Sequence, residues 1–128
     1  MMSEEKIWGS VRHIFVDEVV AVSHLLIKPH RFCSLHRHVD RVNQFTVIAG
    51  HLDILHFANA NHQGDPSLMP YMVKQLFKGD TYIVKNGLWH QFVSRTDCLV
   101  IETYWTENGA PVSIDDIDRR TEGGCLHG

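Results

Sequence analysis

An all-β chain closed into one small barrel, with a short helix near its C-terminal end, is what the sequence predicts. Two observations carry this. Short apolar, β-branched runs recur along most of the chain, and Gly-, Pro-, Asn- and Asp-containing turns separate them at close intervals. Closure then follows as the usual way for many short strands to hide their edges. At 128 residues the chain is expected to form a single domain, residues 1–128, large enough to bury a core without a disulfide scaffold.

Taken in order, residues 19–28 form the first apolar run, ended by Pro29, and a second strand passes through Phe32 and Leu35. Residues 44–49 read as a strand ending at a tight turn on Gly50. Residues 51–57 alternate Leu52, Ile54 and His56 against Asp53 and Leu55, so this strand has two distinct faces. Residues 58–70 are a loop rich in Asn, Gly, Asp and Pro. Strands resume at 72–77, 81–84, 89–93 and 99–105, with Gly79-Asp80 and Asn86-Gly87 as turn dipeptides. The tail supplies the helix, with Ser113 as N-cap, Asp115 and Asp116 in its first turn, Arg119 and Arg120 near its end, and Gly123-Gly124 after it.

Composition narrows the function classes. A net charge of −3 and the lack of any basic run argue against a nucleic-acid partner, and no apolar run spans a bilayer, which argues against a membrane partner. The three cysteines, Cys33, Cys98 and Cys125, form no Cys-x-x-Cys pair and are odd in number, as expected of reduced thiols in a cytoplasmic protein. The N-terminus lacks the basic-then-apolar pattern of a signal peptide.

The ten histidines are the compositional excess. His36 and His38 are two apart, so on a strand both imidazoles share one face. His90 follows the turn at Gly87, where a strand start delivers a third imidazole to the same volume. Three neutral imidazoles suit a divalent metal ion such as zinc, iron, manganese or nickel.

These residues resemble the cupin family. Its first motif runs His-x-His, three or four residues, Glu, six residues, Gly; here it reads His36-Arg37-His38, Asn43, Gly50. Its second places Gly, Pro-x-Gly, His and Asn in order; here it reads Gly79, Lys85-Asn86-Gly87, His90, Ser94. The spacing fits, but Asn43 stands in place of Glu, Lys85 of Pro and Ser94 of Asn. The resemblance implies a double-stranded β-helix, or jelly-roll, barrel. Asn43 is the expected fourth metal ligand, through its carbonyl oxygen or a water; a one-residue bulge would present Gln44 instead.

A finer resemblance covers most of the chain. Trp8-Gly9-Ser10, Ile27-Lys28-Pro29, Ser34-Leu35 and Asp116-Ile117-Asp118-Arg119 are placed as in the cupin domain of type II mannose-6-phosphate isomerases. It implies metal-assisted aldose–ketose isomerisation of a phosphorylated sugar, with Glu102 or Asp40 as the base and Arg119 holding the phosphate. The bland alternatives are a solvent-facing glutamate, a turn aspartate and a surface arginine. Two other classes stay open: a three-histidine iron dioxygenase, and a non-catalytic cupin binding a small polar ligand.

Alternation extends the lumen face from the histidines to Ser34 and Phe32, from Asn43 to Phe45 and Val47, and from His90 to Phe92. Phe45 and Phe92 are expected as apolar walls, His56 as a group touching the ligand or a metal ligand, and Tyr82 and Trp89 at the mouth. Cys33 alternates away from the site, and Cys125 and His127 belong to an exposed tail. A homodimer paired through an N-terminal strand is the expected assembly.

Overall fold

The computed structural model describes residues 2–58 and 70–126; the 58–70 loop of the sequence reading lies almost wholly outside them. Thirteen strands and no helix are formed among the described residues. They are β1 (Met2–Lys6), β2 (Gly9–Val16), β3 (Ala21–Ile27), β4 (Arg31–Phe32), β5 (His36–Arg37), β6 (Arg41–Ala49) and β7 (His51–Phe57). Then come β8 (Met72–Phe77), β9 (Thr81–Val84), β10 (Trp89–Ser94), β11 (Cys98–Thr106), β12 (Asp118–Arg119) and β13 (Gly124–Cys125).

Two antiparallel sheets face each other. One has the order β1-β2-β3-β11-β6-β9. In the other, β10 is central: it pairs with β7 on one side and with β4 and β5 on the other. Alternation is visible along β11, where Cys98, Val100, Glu102 and Tyr104 are buried and the residues between them are half-exposed. The main apolar cluster lies between the sheets and joins Val11, Leu25, Phe45 and Val100 of the first to Leu52, Ile54 and Phe92 of the second. A second cluster, Leu35, Leu55, Phe57 and Val93 with Phe32, Trp89 and Leu126 packed on it, covers the other face of β7 and β10. That cover explains why β7 is buried on both faces although its sequence alternates.

Several sequence expectations are corrected. Residues 113–116 make one turn, closed by Asp116 N–H donating to the Ser113 carbonyl at 3.2 Å, and the expected helix is not formed. Its carbonyls are taken by other elements. Arg41 Nη1 donates to those of Ser113 and Ile114, at 3.2 and 3.3 Å, and His38 Nδ1 to that of Asp116 at 2.6 Å. The tail then adds β12 beside β5 and β13 beside β4.

The strand expected through Phe32 and Leu35 breaks into β4 and β5, because residues 33–35 bond outside the ladder. The Leu35 N–H, for example, donates to Thr121 Oγ1 at 2.9 Å. The break cancels the alternation. Phe32 joins the outer cluster, while Cys33 lines the interior beside Ser34. Trp89 also packs outward, under the Arg37 guanidinium 4.8 Å from its ring centre, and does not line a mouth.

The N-terminal hairpin β1–β2 extends the first sheet ahead of residue 19, where the sequence reading began. Cys125 is half-buried in β13, and His127 lies outside the described residues.

Candidate metal centre

His36 and His90 are cross-strand partners on β5 and β10, which sets their imidazoles side by side. His38 follows two residues after His36. The three ring centres lie 4.4, 5.0 and 5.4 Å apart, and one nitrogen from each ring falls within 4.8 Å of the others. Among the described residues no other such group of histidine, cysteine or acidic side chains forms.

Each ring is oriented the same way. His36 Nδ1 lies 2.7 Å from the Ser34 carbonyl, His38 Nδ1 2.6 Å from that of Asp116, and His90 Nδ1 2.8 Å from that of Leu88. A carbonyl only accepts, so each Nδ1 carries the hydrogen and each Nε2 keeps a lone pair. The lone pairs converge in a buried space. His90 Nε2 is buried with no hydrogen-bond partner. Burial is also the main force holding the rings neutral: it lowers His38 to about 2, aided by the Arg41 charge, lowers His90 to about 4, and takes His36 well below its ordinary value. Neutral imidazoles with converging lone pairs and an orphaned donor atom fit a divalent metal ion.

Asn43 is fully buried and faces inward, while Gln44 turns outward to Thr81, 2.8 Å away. Asn43 is nevertheless not placed as a ligand. Its oxygen accepts from Arg41 Nε at 3.2 Å, and its amide nitrogen donates to Glu102 at 2.7 Å and faces His38 Nε2 at 3.1 Å. An NH2 group has no lone pair to give a metal, so Asn43 bridges the histidines to Glu102.

Glu102 is buried, and burial pushes its carboxyl up against the opposing pull of Arg41, Tyr104 and Asn43. Tyr104 donates to it at 2.8 Å, with the Arg41 guanidinium stacked 4.0 Å from the Tyr104 ring centre. Asp40, the other candidate base, sits at a turn; its carboxylate accepts from Asn108 at 2.7 Å, and it does not line the cavity. His56 is the cross-strand partner of His90 and bonds through Nε2 to the Tyr82 hydroxyl at 2.9 Å. Both residues support the interior beside the centre, and neither lines the cavity.

The cavity holds about 680 Å³. Its lining mixes the polar His36, Arg41, Glu102 and Tyr104 with the apolar Trp8, Val11, Leu25, Phe45 and Phe92, and Phe45 lies directly across from Glu102 in the β6–β11 register. Trp8 meets Phe92 edge-on, ring centres 5.1 Å apart. Glu4, Lys6, Asp115 and Glu122 reach the cavity from the N-terminal hairpin and the tail. Arg119 also lines it, and β12 sets this residue opposite His36.

Sequence reasoning missed Tyr104, Arg41, Asp116 and the cavity face of the N-terminal hairpin. Tyr104 and Arg41 each lie two residues from a singled-out neighbour, Glu102 and Asn43, so alternation alone could have found them. Nothing local marks the bracing role of the Asp116 carboxylate, whose partners lie 75 or more residues away in sequence.

No protein-family model and no curated protein matches the sequence. Solved structures do. Oxalate decarboxylase from Bacillus subtilis superimposes with a TM-score of 0.71 at 15% identity over 92% of this chain, which spans only 29% of that protein's length. KdgF from Halomonas sp. gives 0.67 at 13% identity, covering 90% of both chains. The cupin domain of Cnp3 from Schizosaccharomyces pombe gives 0.66 at 11% identity over 84% of this chain and 70% of that one. At such identities the likeness establishes the architecture: the chain is a cupin β-barrel. Inside that barrel His36, His38 and His90 converge as a group that could hold a metal ion.

Proposed function

We propose that this protein uses a divalent metal to bind a small oxygenated anion and shift a proton on it, as in isomerisation next to a carbonyl group. The convergence of three buried Nε2 lone pairs beside a buried carboxylate carries the reading. A bound divalent cation supplies a Lewis acid for carbonyl and hydroxyl oxygens. Glu102 takes the proton from the carbon beside the carbonyl and returns it to the neighbouring position; its raised pKa suits both steps. Tyr104 and Asn43 hold that carboxylate in place. Arg119 anchors the anion.

Two substrate families fit this chemistry: hexose phosphates, which the isomerase-like motifs favour, and 2-oxo acids. The test is deuterium uptake from heavy water at the carbon beside the carbonyl, using zinc- or manganese-loaded protein with fructose 6-phosphate and a 2-oxo acid. Exchange above the protein-free rate, lost in Glu102→Gln, is expected; none with either substrate sinks the reading. An all-imidazole donor set without a carboxylate favours a second reading, a three-histidine iron dioxygenase. Oxygen uptake by iron-loaded protein on adding a thiol would select it. The outer edge of β1 supports pairing of two copies, which light scattering checks.

A further inference from the structure

We infer that the cavity selects a carboxylate with one apolar, ring-sized body, of the 2-oxo or 2-hydroxy acid class, over a phosphorylated sugar. The inference rests on the metal-binding reading above and narrows its ligand.

The apolar share of the lining is the first ground. Val11, Leu25, Phe45 and Phe92 offer no side-chain donor or acceptor, and with Trp8 they are one continuous part of the main apolar cluster. A hexose laid there leaves hydroxyls without partners, each at a cost of roughly 1–3 kcal/mol. A phenyl or branched aliphatic body loses nothing and removes its own surface from water.

Charge is the second ground. The polar part of the lining sets two cations, Arg41 and Arg119, against one carboxyl, Glu102, and includes His36 of the histidine group. The Arg119 side chain makes no hydrogen bond or ion pair among the described residues, so its guanidinium is available to an anion beside His36. The hairpin and the tail add three acids, Glu4, Asp115 and Glu122, and one lysine, Lys6, which Glu4 already holds at 3.1 Å. A dianionic phosphate pointing that way meets like charge. A ligand with a single anionic head turned toward the histidines and a neutral tail does not.

The test is calorimetric titration of zinc-loaded protein with phenylpyruvate, pyruvate and mannose 6-phosphate, with zinc content measured on the same sample. Phenylpyruvate should bind more tightly than pyruvate by roughly ten- to a hundredfold, the gain from taking a phenyl ring out of water, and more tightly than mannose 6-phosphate. Arg119→Gln, an exposed position, should weaken both acids about tenfold and leave the gap between them. Phe92→Leu should narrow the gap. Equal binding of the two acids, tighter binding of mannose 6-phosphate, or no acid binding at one equivalent of zinc overturns the inference while leaving the metal centre intact. Absence of stoichiometric zinc overturns the metal reading itself.

Discussion

The polar and the apolar parts of the cavity lining are built in opposite ways. On the metal side each imidazole is steered by a backbone carbonyl, and Asn43, Glu102 and Tyr104 form a hydrogen-bonded row behind them. On the apolar side Trp8, Val11 and Leu25 come from the N-terminal hairpin and its neighbour strand, held by sheet register and packing. Directional bonds fix where a reacting atom sits; packing fixes only what shape fits beside it. Metal chemistry and ligand choice are therefore separable by mutation.

The sharpest break of the metal side is His90→Ala. Removing the orphaned donor should weaken zinc binding by at least about a hundredfold, read by chelator competition, because even the loss of an outer partner costs ten- to a hundredfold. Retained stoichiometric binding would remove His90 from the centre.

Gly9→Ala attacks the other side. A Cβ at Gly9 runs into the Leu26 carbonyl, backbone that cannot yield, so the hairpin must shift from β3. Zinc binding should persist within about threefold while phenylpyruvate binding falls at least tenfold, a split expected only if the two sides are independent. Parallel loss of both would show them coupled.

Acid probes the metal side without mutation. In the unfolded chain these histidines protonate near 6.5, whereas in the fold His90 stays neutral to about 4 and His38 to about 2. The unfolded state thus holds more protons below about 6.5, and metal-free protein should lose stability as pH falls from 7 to 5, by roughly 1.4 kcal/mol per unit for each histidine at most. Glu102, raised by burial, acts in the opposite sense and reduces the net slope. Thermal melts should show the midpoint falling, and replacing all three histidines with asparagine should flatten the profile. A flat profile in the unmodified protein would contradict their burial.

Asn43→Ala is the smallest change. It strips one partner each from Arg41 and Glu102, costing about 1–3 kcal/mol in urea unfolding, and should move zinc affinity less than tenfold. A larger loss of affinity would restore Asn43 as a ligand.

What could be read in the sequence was whatever depended on near neighbours. His36 and His38 share a face because strands repeat every two residues, and His90 follows a glycine turn with positive φ at Gly87. The parity that put Asn43 inside also held. Its role did not follow, since that depends on Glu102, 59 positions away. Phe32 and Cys33 exchanged places because the ladder breaks at 33–35, and the tail gave up a helix because Arg41 and His38 claim its carbonyls. The N-terminal hairpin escaped notice because its charged strand, Glu4-Glu5-Lys6, gains meaning only from pairing with β2.

The tail has one more consequence. The Asp116 carboxylate accepts the backbone N–H groups of Val39, Asp40 and Arg41 at 2.8 to 2.9 Å, and Thr121 and Arg120 clamp Leu35. During synthesis, the loop bearing His36 and His38 therefore lacks its brace until residues 116–121 have emerged from the ribosome.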